Sequence, residues 1–233
     1  MDLMTEISTL NGVDGIAVAA LLATWLGLSW WIEHPTVKHP SVTMVMEGYR
    51  REWLRVMIGR ESRIFDAQIM ASLRQGTAFF ASTCLLAVGG VLALIGNVDP
   101  LQGVAAEIAM IQSPTVIWQI KLSVVLVLLT NAFLKFVWAN RVFGYCSVMI
   151  GAVPNDPADP TALPMAAKAA ELNNRAAMNF NRGLRSMYFA LGAVAWLAGP
   201  WALLGATAIT VWVVWSREFA SVPRAIIMDD SPE

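Results

Sequence analysis

Arg60, Glu61, Arg63 and Asp66 stand close together in the run Arg-Glu-Ser-Arg-Ile-Phe-Asp, just ahead of an apolar stretch that opens at Gly76. Charges of both signs at a polar-to-apolar boundary attract ions and headgroups, so this cluster is a candidate gate or ion-entry vestibule. The same spacing also suits plain helix ion pairs, with Arg63 and Asp66 at i,i+3. Beyond the boundary, Ser82 and Thr83 carry hydroxyls, and Asn131 and Lys135 carry an amide and an ammonium within apolar sequence. Such groups are costly in a bilayer and are read as pore-lining or helix-packing residues. Lys121, near the other end of the same run, is expected to snorkel or to pair with Asp99 or Glu107. Asn131 lies deeper and is expected to bond another helix.

Other chemistry is poorly supported. Glu33, His34 and His39 bring two imidazoles and a carboxylate together, but the two prolines and the five-residue gap match no standard metal spacing, and Lys38 lies between the histidines. Cys84 and Cys146 give neither a disulfide framework nor a ligand pair. There is no nucleophile motif, phosphate loop or dinucleotide fingerprint, and no histidine lies inside an apolar run. The expectation is a protein with no catalytic residue, no metal and no cofactor. A net charge of −1 gives no reason to expect nucleic acid.

The elements that must position these residues follow from composition. Hydrophobic residues make up 57% and charged residues 14%, against roughly 45–50% and 25% in soluble domains. Runs 15–32, 77–96 and 116–138 are each long enough to cross a bilayer, which takes about 20 helical residues. The acidic Asp2, Glu6 and Asp14 argue against a cleaved signal peptide. A fourth run, 187–215, contains Gly199-Pro200. It reads as a hairpin of two spans, 187–199 and 200–215, with a single long span as the alternative. Lys and Arg are missing from 1–14 and 97–115 and abundant in 33–76 and 139–186. The positive-inside bias therefore puts the N-terminus outside and both long polar segments in the cytoplasm.

Those segments read as helical. Over 44–75 there is no proline, and Glu47 with Arg51 and Glu52 with Arg55 pair at helical spacing, so one amphipathic helix is expected to run into the second span. The second extension, over 165–186, follows a Pro-rich turn. Glu171 pairs with Arg175 there, and Asn173, Asn174, Asn179 and Asn181 are expected on its polar surface.

Tyr49-Arg50, Trp53, Arg60-Glu61, Arg63-Ile64, Asp66 and Gln68 are followed by Phe79-Phe80-Ala81-Ser82-Thr83, Gly89-Gly90, and later Arg217-Glu218-Phe219 and Ser221. In these residues the chain resembles the integral membrane family catalogued as domain of unknown function 599. The resemblance implies a multi-span helical protein of a bacterial inner membrane and supplies no activity or site residue. The expected fold is all-α: a polytopic membrane bundle of four or five transmembrane helices with two cytoplasmic helical extensions. Small residues spaced one turn apart in two spans point to a homo-oligomer in contact with lipid. The functional expectation is an oligomeric channel or passive transporter for a small ion or solute. The alternative is a scaffold or accessory subunit that docks a cytoplasmic protein.

Overall fold

A computed structural model describes residues 11–36, 38–103 and 114–229, and among these there is helix and no strand. The helices are α1 (Gly12–Glu33), α2 (Val42–Met57), α3 (Ile64–Gly96), α4 (Thr115–Ala152), α5 (Ala162–Val194), α6 (Pro200–Phe219) and α7 (Val222–Ile227). A 3₁₀ turn, Ala195–Ala198, links α5 to Gly199. Three of them, α1, α3 and α4, are long and apolar enough to cross a membrane. At 1.5 Å per residue, the 33 residues of α3 extend about 50 Å, well past a hydrocarbon core of about 30 Å.

Contacts divide the chain into two compact units. The first comprises residues up to 31, 83–132 and 184–216; the second comprises 32–82, 133–183 and 217 onward. Every Lys and Arg except Lys121 and Arg185 belongs to the second unit.

In the second unit, α5 presents a stripe of alanines, and its buried members include Ala162, Ala166, Ala169, Ala170, Ala176 and Ala177. Their three- and four-residue spacing puts them on one helix face. With only a methyl group at each position, the face lies close against Leu54, Met57 and Ile58, and against Val142, Phe143, Cys146 and Ile150 of α4. Phe80, Phe136 and Phe180 form a second cluster, with ring centroids 5.4–5.6 Å apart. Gly183 makes room for it: a Cβ there would lie 2.8 Å from the Phe136 ring. Ser41 starts α2 by accepting from the Met44 amide, and its hydroxyl donates to the Ile32 carbonyl near the end of α1.

In the first unit, the apolar run 187–215 is broken rather than continuous. Gly199 has φ +113° and ψ 169°, a conformation nearly exclusive to glycine. Pro200 then opens α6 at a position where its missing N–H costs nothing. The chain doubles back there, since a Cβ on Gly192 would lie 2.9 Å from Thr210 Oγ1 and 3.7 Å from the Ala206 carbonyl.

The 44–75 segment differs from expectation in the same way. It forms two helices separated by residues 58–63, although no proline interrupts it. The break carries Arg60 and Arg63, whose side chains are bound at the start of α3 and at the end of α4.

Candidate functional site

The charged cluster closes a corner in the second unit. Asp66 stands in the first turn of α3, where the helix dipole favours an acid. It is fully buried. One of its oxygens, Oδ1, accepts from Trp53 Nε1 of α2 at 2.6 Å and from the Arg60 guanidinium. Arg63 does not form the i,i+3 pair with Asp66. It precedes the first residue of α3, so helical spacing does not fix its side chain. Its guanidinium instead donates to the carbonyls of Ile150 at 2.9 Å, Val153 at 2.6 Å and Pro154 at 2.7 Å. Those are orphan acceptors at the end of α4, where a cation is doubly favoured. Glu61 is exposed. Three of the four vestibule residues thus fasten helices together.

The other helix pairs behave as their spacing suggests. Glu47 with Arg51, Glu52 with Arg55 and Glu171 with Arg175 form ion pairs at 3.2, 2.5 and 2.7 Å. The asparagines of α5 do not all form a polar surface. Asn173 and Asn174 are buried, and Asn173 Nδ2 lies 3.4 Å from Met70 Sδ and 3.8 Å from Cys146 Sγ. Asn181 donates to Thr43 Oγ1 at 3.2 Å. They occupy the face of α5 that packs against its neighbours, which a simple count of amides does not reveal.

Glu33 binds Arg182 through both oxygens, at 2.8 and 2.5 Å. Hydrogen bonding to that carboxylate raises the Arg182 pKa above its ordinary value. No group of histidine, cysteine and acidic side chains able to hold a metal occurs among the described residues. His34 and His39 are exposed.

The first unit holds a buried polar seam. Ser186 donates to the Leu128 carbonyl at 2.7 Å and accepts from Asn131 Nδ2 at 3.1 Å, which is the interhelical bond expected of Asn131. Beside Ser186 in sequence, Arg185 is only 3% exposed and donates from Nε to Ser29 Oγ of α1 at 3.2 Å. Lys121 neither snorkels nor turns to Asp99: it is buried, with Nζ 5.6 Å from the Trp118 ring centroid and 5.8 Å from that of Trp196. Trp196 Nε1 in turn donates to Asp14 Oδ1 at 2.7 Å. Glu107 lies outside the described residues. Ser82 and Thr83 are on the exposed surface of α3, and Lys135 is half-buried on α4.

The segment near the C-terminus is held by residues from the same sequence pattern. Glu218 accepts from the Thr43 amide at 3.0 Å and from Thr43 Oγ1 at 2.8 Å, at the start of α2. Ser221 caps α7 by accepting from the Arg224 amide, and Tyr49 Oη donates to the Ile227 carbonyl. Residues 16–223 match the family described as "Protein of unknown function, DUF599". The chain belongs to the DUF599 family. In this DUF599 protein, Tyr49, Trp53, Arg60, Arg63, Asp66, Glu218 and Ser221 all make contacts that join one segment to another or cap a helix. These seven residues of the pattern therefore record how the second unit is assembled. No curated protein and no solved structure matches the chain.

Arg185, Ser186, Asp14 and Trp196 carry no local signal of this seam in the sequence, because their partners lie far away along the chain.

Proposed function

We propose that this DUF599 protein is a multi-pass inner-membrane protein that acts as an oligomeric channel or passive transporter for a small ion or solute. Its N-terminus lies outside. The spans are α1, α3, α4 and the two arms around Gly199-Pro200, five crossings in all. The positive-inside bias puts the basic segments 33–76 and 139–186 on the cytoplasmic side. Copies associate along α3, whose most apolar stretch is only 6% buried within one chain. Its exposed Gly89 and Gly90 allow close backbone approach.

The observation that carries the transport reading is Arg185. Arg185 stands where α5 passes from the cytoplasmic segment into its span, and an arginine only 3% exposed at that entry is expensive and marks a solute pathway. Ser29, Ser186 and Asn131 extend it into a seam of hydroxyl and amide groups across α1, α4 and α5. Within the first unit, two buried side chains are basic, Lys121 and Arg185, and one described buried side chain is acidic, Asp14, a balance that favours an anionic or neutral solute over a cation.

A specific surface favours the scaffold reading as the second choice. A cleft of about 360 Å³ between Arg51 and Arg55 of α2 and Leu163, Ala166 and Ala170 of α5 suits an acidic, apolar peptide.

Flux through liposomes containing the purified protein separates the two readings. The transport reading predicts uptake of small anions or neutral solutes above empty liposomes. Uptake equal to empty liposomes for every anion, cation and neutral solute tried would leave the scaffold.

A further inference from the structure

Three arginines lie close together on α2, and two of them are paired. Arg51 is held by Glu47 and Arg55 by Glu52. Arg50 makes no such bond among the described residues, and its guanidinium is half-buried. Burial pulls its pKa below the ordinary guanidinium value, against the opposing effect of Glu47. Glu47 already bonds Arg51, so Arg50 is left with a desolvated charge and an acid that it shares.

Arg50 lines a cleft of about 270 Å³ in the second unit. Ser72 and Thr77 of α3 and Asn181 of α5 supply its other polar groups, and Phe143 and Phe180 form an apolar wall. Thr77 spends its proton on the Leu73 carbonyl, and Asn181 uses one N–H on Thr43. The guanidinium fork, the Ser72 hydroxyl and the second Asn181 N–H remain as donors. Donors facing an otherwise apolar space recognise an anion, and a planar guanidinium fits the oxygens of a phosphate two at a time. The volume lies just under the roughly 300 Å³ at which pockets for drug-sized ligands begin. That suits a headgroup fragment and is too small for a whole lipid.

We propose that the Arg50 cleft binds a phosphate ester, the group common to phospholipid headgroups and soluble organophosphates, with Arg50 gripping its oxygens and Phe143 and Phe180 contacting the attached carbon chain. The cleft shares no residue with the Arg185 seam, so either site can fail while the other stands.

The test uses the purified full chain in detergent, with binding read by native mass spectrometry and by the shift of the melting midpoint. The probes are dioleoylphosphatidylglycerol, glycerol 3-phosphate and dioleoylglycerol, which lacks the phosphate. Wild type is expected to bind at least one phosphate probe. Arg50→Ala should weaken that binding about tenfold, the loss expected when a charge-assisted hydrogen bond is removed. Arg51→Ala should stay within about twofold, as its guanidinium is exposed and outside the cleft. Binding of the phospholipid alone identifies the membrane as the source, and competition by glycerol 3-phosphate identifies a soluble one. If Arg50→Ala does not fold, Arg50→Lys, which keeps the charge and loses the fork, replaces it with an expected several-fold loss. Binding unchanged in the folded Arg50 variant, or equally tight binding of dioleoylglycerol, would overturn the proposal.

Discussion

At the residue scale, the contrast between Asp66 and Glu61 separates structural charge from solvated charge. Both are acids in one short run, yet Asp66 is fully buried under Trp53 and Arg60 while Glu61 faces outward. Removing one member of a fully buried ion pair costs roughly 3–5 kcal/mol. Arg60 is about one-third exposed, so solvent screens part of that interaction. Asp66→Asn should therefore lower stability by about 2 kcal/mol, seen as a fall in the melting midpoint of the purified protein. Glu61→Gln should stay within about 0.5 kcal/mol of wild type. Equal midpoints for the two variants would mean that the corner is not held by the Asp66 charge. The Arg63–Asp66 spacing was legible in the sequence, but the pair was not real. A vacant helix end 87 to 91 residues away made the stronger offer to Arg63.

At the element scale, the parts legible from sequence are those set by local rules. The runs 15–32, 77–96 and 116–138 each fall within one helix, because a long apolar run with no water to bond its backbone leaves little choice but a helix. The ion pairs along α2 and α5 form for the same local reason. The break at 58–63 was not legible, because the groups that fix it lie elsewhere in the chain: Asp66 and the carbonyls at the end of α4. Gly199-Pro200 was visible as punctuation, and the structure adds its cause in the conformation of Gly199. That conformation gives a direct prediction. Gly199→Ala should cost about 1–3 kcal/mol, the strain of placing a Cβ residue in that region. The loss would appear as a lower melting midpoint, whereas Gly205→Ala, in an open helical position, should be neutral or slightly stabilising. An unchanged midpoint for Gly199→Ala would mean that the turn is not constrained as described.

At the scale of the whole molecule, the sequence shows its charge asymmetry plainly and hides its polar interior. All basic residues but two fall in one unit, and the proposed orientation rests on where those residues stand in the sequence. The seam depends on pairs such as Ser29 with Arg185 and Asp14 with Trp196, which are 156 and 182 residues apart. No periodicity joins such positions. The transport reading rests on the seam, while Ser82 and Thr83 lie on the exposed surface of α3, the helix along which copies are proposed to associate. The Arg50 cleft belongs to the other unit, so the phosphate-ester binding proposed for it stands apart from the seam.

Solute that passes through the seam must come within reach of a cysteine placed there, and the reactivity of that cysteine reports it. With Cys84 and Cys146 replaced by alanine, Ser186→Cys is treated with a small charged thiol reagent in liposomes while flux is recorded. A working pathway predicts modification of position 186 and a fall in flux to near the empty-liposome level. An unmodified cysteine at 186 with undiminished flux, while Glu61→Cys in the same background reacts fully, would mean that solute does not pass through the seam.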